Sequence, residues 1–153
     1  MSLSSDRHSF NAPTTPENTP AVPVVCFDEG GKTGDRQTGV ACPNCQSELV
    51  IGEVRECQFA GCADCGGMLF KQDVFGMLIQ HLRAERSSQS FIAKPIDFDD
   101  LKVRRLCPSC QTVMETHAYA GPGNAVIDTC FPCRLIFLDK GELTKLVETP
   151  GKR

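Results

Sequence analysis

Four C-x2-C pairs, Cys42/Cys45, Cys62/Cys65, Cys107/Cys110 and Cys130/Cys133, constrain this chain more than any other feature of its sequence. Such a turn sets two sulfurs on one side of a tetrahedral metal ion, with backbone N–H groups facing them. A second turn at the far end of a hairpin completes the cage. C-x2-C, a spacer of about 15 to 20 residues, then C-x2-C is a zinc-binding arrangement. It occurs twice, with spacers of 16 and 19 residues. Two independent zinc sites are expected, one held by Cys42, Cys45, Cys62 and Cys65 and the other by Cys107, Cys110, Cys130 and Cys133. Cys26 and Cys57 are left over. His81 and His117 read as surface or packing residues, since both cages are complete without them.

The pairs belong to an internal repeat. CADCGGMLF at residues 62–70 and CFPCRLIFL at residues 130–138 lie 68 positions apart, with an apolar triplet followed by polar residues in each. Each unit reads as a β-hairpin between its two knuckles and an α-helix behind the second. The helices are expected from about Lys71 to Arg86, with Val74, Leu78 and Leu82 as a stripe beside Phe75 and Ile79, and from about Lys140 to Glu148, with Leu143, Leu146 and Val147 on one face. Asp139 followed by Glu142 imitates a capping box. The three extra residues of the second spacer fall at GPGN, a turn that lengthens a hairpin loop.

Residues 1–40 are rich in Ser, Thr, Pro and Gly and read as a flexible arm, with AVPVVCF as an extended segment lying on the body. The first unit spans 41–86, a linker 87–104 and the second unit 105–149. DEGGKTGD is a poor match to a phosphate-binding loop, because Cys26 stands where a glycine is needed and no helix pattern follows Thr33. The N-terminal residues have no apolar run of signal-peptide form, and no stretch suits a membrane span. A cytoplasmic protein is expected, where thiols stay reduced and paired cysteines favour metal over disulfide.

Energetics point the same way. With no Trp and one Tyr, little aromatic volume is available for a core. Each unit has about 40 residues, a size at which apolar burial alone rarely offsets chain entropy. A structural zinc ion contributes about 10–16 kcal/mol to small finger peptides at neutral pH. Metal binding is therefore expected to supply most of the folding free energy.

Two alternatives concern the metal chemistry. A thioredoxin-like dithiol needs a βαβ pattern, which is not seen. The CPNC and CPSC knuckles resemble those of rubredoxins, which would imply an iron electron carrier, but rubredoxins bring a larger aromatic shell and a longer spacer.

The pattern CPxC, hairpin, CxxC, apolar triplet, Asp, Lys, Gly, Glu, Leu resembles the transcription factor IIB-type zinc-finger family. CPSC and IFLDKGELTKL carry the resemblance in the second unit, CPNC and CADCGGMLF in the first. The resemblance implies a small zinc-stabilised α+β fold of two tandem zinc-ribbon units. The family usually has Gly-Gly after the second knuckle. Gly66 and Gly67 keep this, whereas Arg134 and Leu135 depart from it, so the second site is expected to release zinc first.

The net charge of −3 becomes about −7 with two zinc ions and eight thiolates, which disfavours a phosphate grip by the whole protein. Only the second unit offers local basic residues, Lys102, Arg104, Arg105, Arg134, Lys140 and Lys145, and nucleic-acid binding through them is the alternative function. A protein-interaction or regulatory adaptor is the preferred reading, with a protein partner, a transcription component among the candidates, and no membrane. No His-based triad, open metal position or cofactor loop is present, so no enzymatic activity is expected.

Overall fold

The computed structural model describes residues 27–86, 95–119 and 125–148. Cys26, GPGN and most of the arm lie outside them, as does about half of the linker. Among the described residues, seven strands and two α-helices follow one another as β1 Lys32–Ala41, β2 Glu48–Val54, β3 Cys57–Gly61, β4 Met68–Lys71, α1 Gln72–Glu85, β5 Glu115–Ala118, β6 Val126–Cys130, β7 Leu135–Leu138 and α2 Glu142–Glu148. The strands form one antiparallel sheet in the order β1-β2-β3-β4-β7-β6-β5.

The middle of the sheet is the pairing of β4 with β7. Leu69 and Phe137 occupy the same position in the two halves, 68 residues apart, and they face each other across the ladder. Met68 pairs with Leu138 and Phe70 with Ile136, the same relation read in both directions. The two halves thus meet about a local two-fold axis at the Leu69–Phe137 pair.

Strand periodicity sorts the triplets onto two faces. Met68, Phe70, Ile136 and Leu138 enter one core with Phe75, Leu78, Ile79 and Leu82 of α1 and Leu143, Leu146 and Val147 of α2. Leu69 and Phe137 point the other way, among the cysteines, with Leu49 and Met114. Both faces are covered, which is why MLF and IFL read as continuous apolar runs. The rings of Phe27, Phe59, Phe70, Phe75 and Tyr119 succeed one another at 5.2–5.8 Å between centroids, crossing the helix side from the first half into the second. Arg83 of α1 donates to the Leu146 carbonyl at 3.0 Å and so ties α1 to α2.

Several expectations are corrected. Residues 32–40, read as the end of the flexible arm, lie in the ten-residue edge strand β1, Lys32–Ala41. Its pairing with β2 rests on backbone hydrogen bonds interrupted by two register shifts, and KTGDRQTGVA has no apolar alternation to announce it. Phe27, the one described residue of AVPVVCF, does lie on the body, buried and edge-on to Phe59 at 5.2 Å. The apolar triplets form a further strand beside each hairpin, β4 next to β3 and β7 next to β6. The capping box does not form: Asp139 pairs with Arg105, and Glu142 accepts from the Val126 N–H at 3.1 Å. Asp28 reaches across instead, accepting from the Gly141 N–H at 2.8 Å.

The two-fold relation also explains one departure between the halves. A Cβ on Gly67 would lie 2.4 Å from Cζ of Phe137. In the other half Leu135 stands at the position of Gly67, and the smaller Leu69 stands at that of Phe137. Gly67 and Phe137 are therefore a matched pair. Gly67→Ala is expected to cost about 1–3 kcal/mol in denaturant unfolding of the metal-loaded protein, and adding Phe137→Leu to recover part of that loss. Additive effects of the two substitutions would contradict the pairing.

Candidate metal centres

Three of the four knuckles share one backbone plan, and in the fourth the Arg134 N–H donates to the Phe131 carbonyl at 3.3 Å instead. In the first three, the first cysteine carbonyl accepts from the N–H four residues on: Gln46 to Cys42 at 3.0 Å, Gly66 to Cys62 at 2.9 Å and Gln111 to Cys107 at 2.8 Å. Backbone N–H groups also face sulfur, Asn44 to Cys42 and Ser109 to Cys107 at 3.4 Å and Cys65 to Cys62 at 3.5 Å. The residue after each second cysteine is left-handed, with φ of 68° at Gln46, 78° at Gly66, 61° at Gln111 and 55° at Arg134. Only Gly66 adopts this conformation without a Cβ cost, which is about 1–2 kcal/mol for other residues.

The hairpins and the turn of the chain into β4 and β7 bring the eight predicted cysteines into two groups. Within Cys42, Cys45, Cys62 and Cys65, and within Cys107, Cys110, Cys130 and Cys133, the sulfurs all lie within 4.8 Å of one another. Sγ–Sγ distances are 3.6 Å for Cys42–Cys65, 3.3 Å for Cys45–Cys62 and 3.6 Å for Cys110–Cys130. A disulfide needs about 2.05 Å. Four sulfurs at about 2.3 Å from a tetrahedral zinc ion sit about 3.8 Å apart, which is near what is observed. The two groups are compatible with two zinc ions, one in each.

The thiols are unlike one another. Burial pushes Cys42 far up, Cys62 up to about 11 and Cys130 up to about 12. These sulfurs resist ionisation unless a cation lies among them. The second cysteine of each first knuckle is exposed and acidic. Hydrogen bonds from Ser47 bring Cys45 down to about 7, and those from Thr112, whose hydroxyl lies 2.9 Å from the sulfur, bring Cys110 down to about 6. Each group thus has one sulfur ready as thiolate beside buried ones that a metal would have to deprotonate.

The remaining candidates lie apart from both groups. Cys57 is half-buried against the helix-side core, and burial raises its thiol. His81 pairs with Glu85 at 3.1 Å, and His117 lies 3.0 Å from the Thr129 hydroxyl.

Sequence reading missed the role of Arg105. Its side chain is 8% exposed and bonds Asp128 at 2.7 Å, Asp139 at 2.9 Å and Asn44, inside the first knuckle of the other half, at 3.3 Å. Its guanidinium lies 5.4 Å from the centroid of the Phe137 ring. The acidic residues Asp128, within apolar β6, and Asp139, directly after apolar β7, were the signal for a buried cation. Of the other basic candidates, Arg104 is exposed and donates to the Leu101 and Val103 carbonyls, and Lys145 pairs with Glu142 at 3.2 Å.

Residues 106–149, which contain the whole second cysteine group, match the family model described as transcription factor zinc-finger. The match is to this segment and does not extend over the first cysteine group. Zinc is thereby supported by the family as well as by the sulfur geometry. No curated protein and no solved structure matches the chain.

Two outcomes follow from the knuckles. Alkylation of the zinc-loaded protein, mapped by mass spectrometry, is expected to label the exposed Cys45 and Cys110 before the buried Cys42 and Cys107; the reverse order would contradict the site geometry. Arg134→Gly relieves a left-handed residue and is expected to stabilise the loaded protein by about 1 kcal/mol and slow zinc loss to a chelator.

Proposed function

We propose that this protein is a structural two-zinc scaffold that binds a protein partner, acting as an interaction or regulatory adaptor and carrying out no catalysis. The closure of both four-sulfur groups carries this reading. Four thiolates fill a tetrahedral ion and leave no position for water or substrate, so the metal holds the chain and does not act on a ligand. The cysteines Cys42, Cys45, Cys62 and Cys65 take one ion, and Cys107, Cys110, Cys130 and Cys133 the other.

A protein partner is favoured over nucleic acid by the surface of the second half. Arg105, the central residue of its basic set, is spent on Asp128 and Asp139. Beside it Leu106 and Val113 bridge each other while 49% and 61% exposed, and Phe131 is 53% exposed. Apolar side chains in water suit a protein surface better than phosphates. The match of residues 106–149 makes a component of the transcription machinery the favoured class of partner. No helix among the described residues is long and apolar enough to cross a membrane, and cysteines grouped for a metal suit a compartment that keeps thiols reduced, such as the cytoplasm.

Elemental analysis of protein purified under reducing conditions is expected to give two zinc ions per chain and a colourless solution. Red ferric absorbance, or a single ion, would overturn the metal assignment. Fluorescence anisotropy with labelled duplex DNA is expected to show no salt-dependent binding. Binding that weakens with salt and is lost in Arg104→Gln would replace the adaptor reading by the nucleic-acid one.

A further inference from the structure

The two cysteine groups are not independent bodies. Cys42, Cys62, Cys107 and Cys130 lie in a single buried cluster whose centre is Leu69 and Phe137, and Cys65 and Cys133 pack against it. Phe137 of the second half fills the space over Gly67, two residues after Cys65 of the first. The halves also hold each other's knuckles: the Gln72 N–H donates to the Arg134 carbonyl at 2.8 Å, and the Lys140 side chain covers Gly66.

Arg105 joins these contacts electrically. It lies two residues before Cys107, yet its Nη2 reaches Asn44, between Cys42 and Cys45. Its Nε is buried without a hydrogen-bond partner, a cost that a guanidinium bears only where its other bonds compensate. Each zinc with four thiolates carries a net charge of about −2, so this buried cation stands between two anionic centres.

We propose that the two metal sites load as one cooperative unit and that Arg105 is the positioning residue that couples them. The proposal rests on the zinc reading above. Filling one group fixes its knuckles, which seats Phe137 and Arg105 and so assembles the knuckles of the other group before its ion arrives. The sites then behave as coupled binding equilibria. An empty group leaves Arg105 without its frame, and the knuckle around Asn44 loses a bond.

The test is native mass spectrometry of the metal-free, reduced full chain given Zn2+ to half of saturation. Independent sites leave half or more of the molecules with one ion, whereas tenfold coupling lowers that to roughly a quarter. The low singly loaded fraction is the expected result. Arg105→Gln is expected to raise it towards half, Arg105→Lys to restore it in part, and Arg104→Gln to leave it unchanged. A uniform loss of stability would make loading more all-or-none and lower the singly loaded fraction, so a rise in Arg105→Gln separates lost coupling from lost folding. Should Arg105→Gln fail to fold, Cys110→Ser gives a second measure: crippling the second group is expected to weaken zinc binding at the first by about tenfold. A singly loaded fraction of half or more in the unmodified chain, together with an unchanged first group in Cys110→Ser, overturns the coupling alone. Uptake of fewer than two ions at saturation overturns the zinc reading beneath it.

Discussion

The pairing of β4 with β7 is the constraint on which the rest of the structure depends. Four residues from each half meet in register about Leu69 and Phe137. Because side chains alternate along a strand, that one ladder sends Met68, Phe70, Ile136 and Leu138 to the helices and Leu69 and Phe137 to the cysteines. Both metal groups consequently share one face of the sheet and both helices the other. A half taken alone would expose one edge of this ladder and half of each core.

The division of labour between the faces follows from chemistry. The helix side is held by apolar packing, including five successive aromatic rings, and by Arg83 on the last turn of α2. The cysteine side has little carbon to bury. Its order comes from backbone bonds within the knuckles and from sulfurs too close for indifferent neighbours and too far for disulfides. Buried thiols whose ionisation is resisted, set beside one acidic thiol in each group, make a pocket suited to a cation of zinc's preferences. The family match of residues 106–149 agrees with that donor set.

Much of this was legible in the sequence. The C-x2-C spacing identified both sulfur groups, because ligand spacing is a local property of the turn. Phe75, Leu78, Ile79 and Leu82, and Leu143, Leu146 and Val147, marked the buried helix faces through their period. What escaped notice depends on distant partners. Strand β1 is polar and glycine-containing, and only the edge of β2 makes it a strand. Asp139 and Glu142 look like a cap in sequence, but Arg105 and the Val126 N–H compete for them in space. Arg105 itself reads as a solvated charge until Asp128, Asp139 and Asn44 close around it. Arg134 and Leu135 look alike as missing glycines, yet one carries a left-handed backbone and the other lies in a strand opposite Lys71.

Amide hydrogen exchange across chelation tests the shared sheet most directly. In the zinc-loaded chain the amides of Met68–Lys71 and Leu135–Leu138 should be among the best protected, and stripping the metal should release both strands and both helices together. Protection kept by one half while the other exchanges freely would mean that the halves fold separately, and the single body described by β4 and β7 would be wrong.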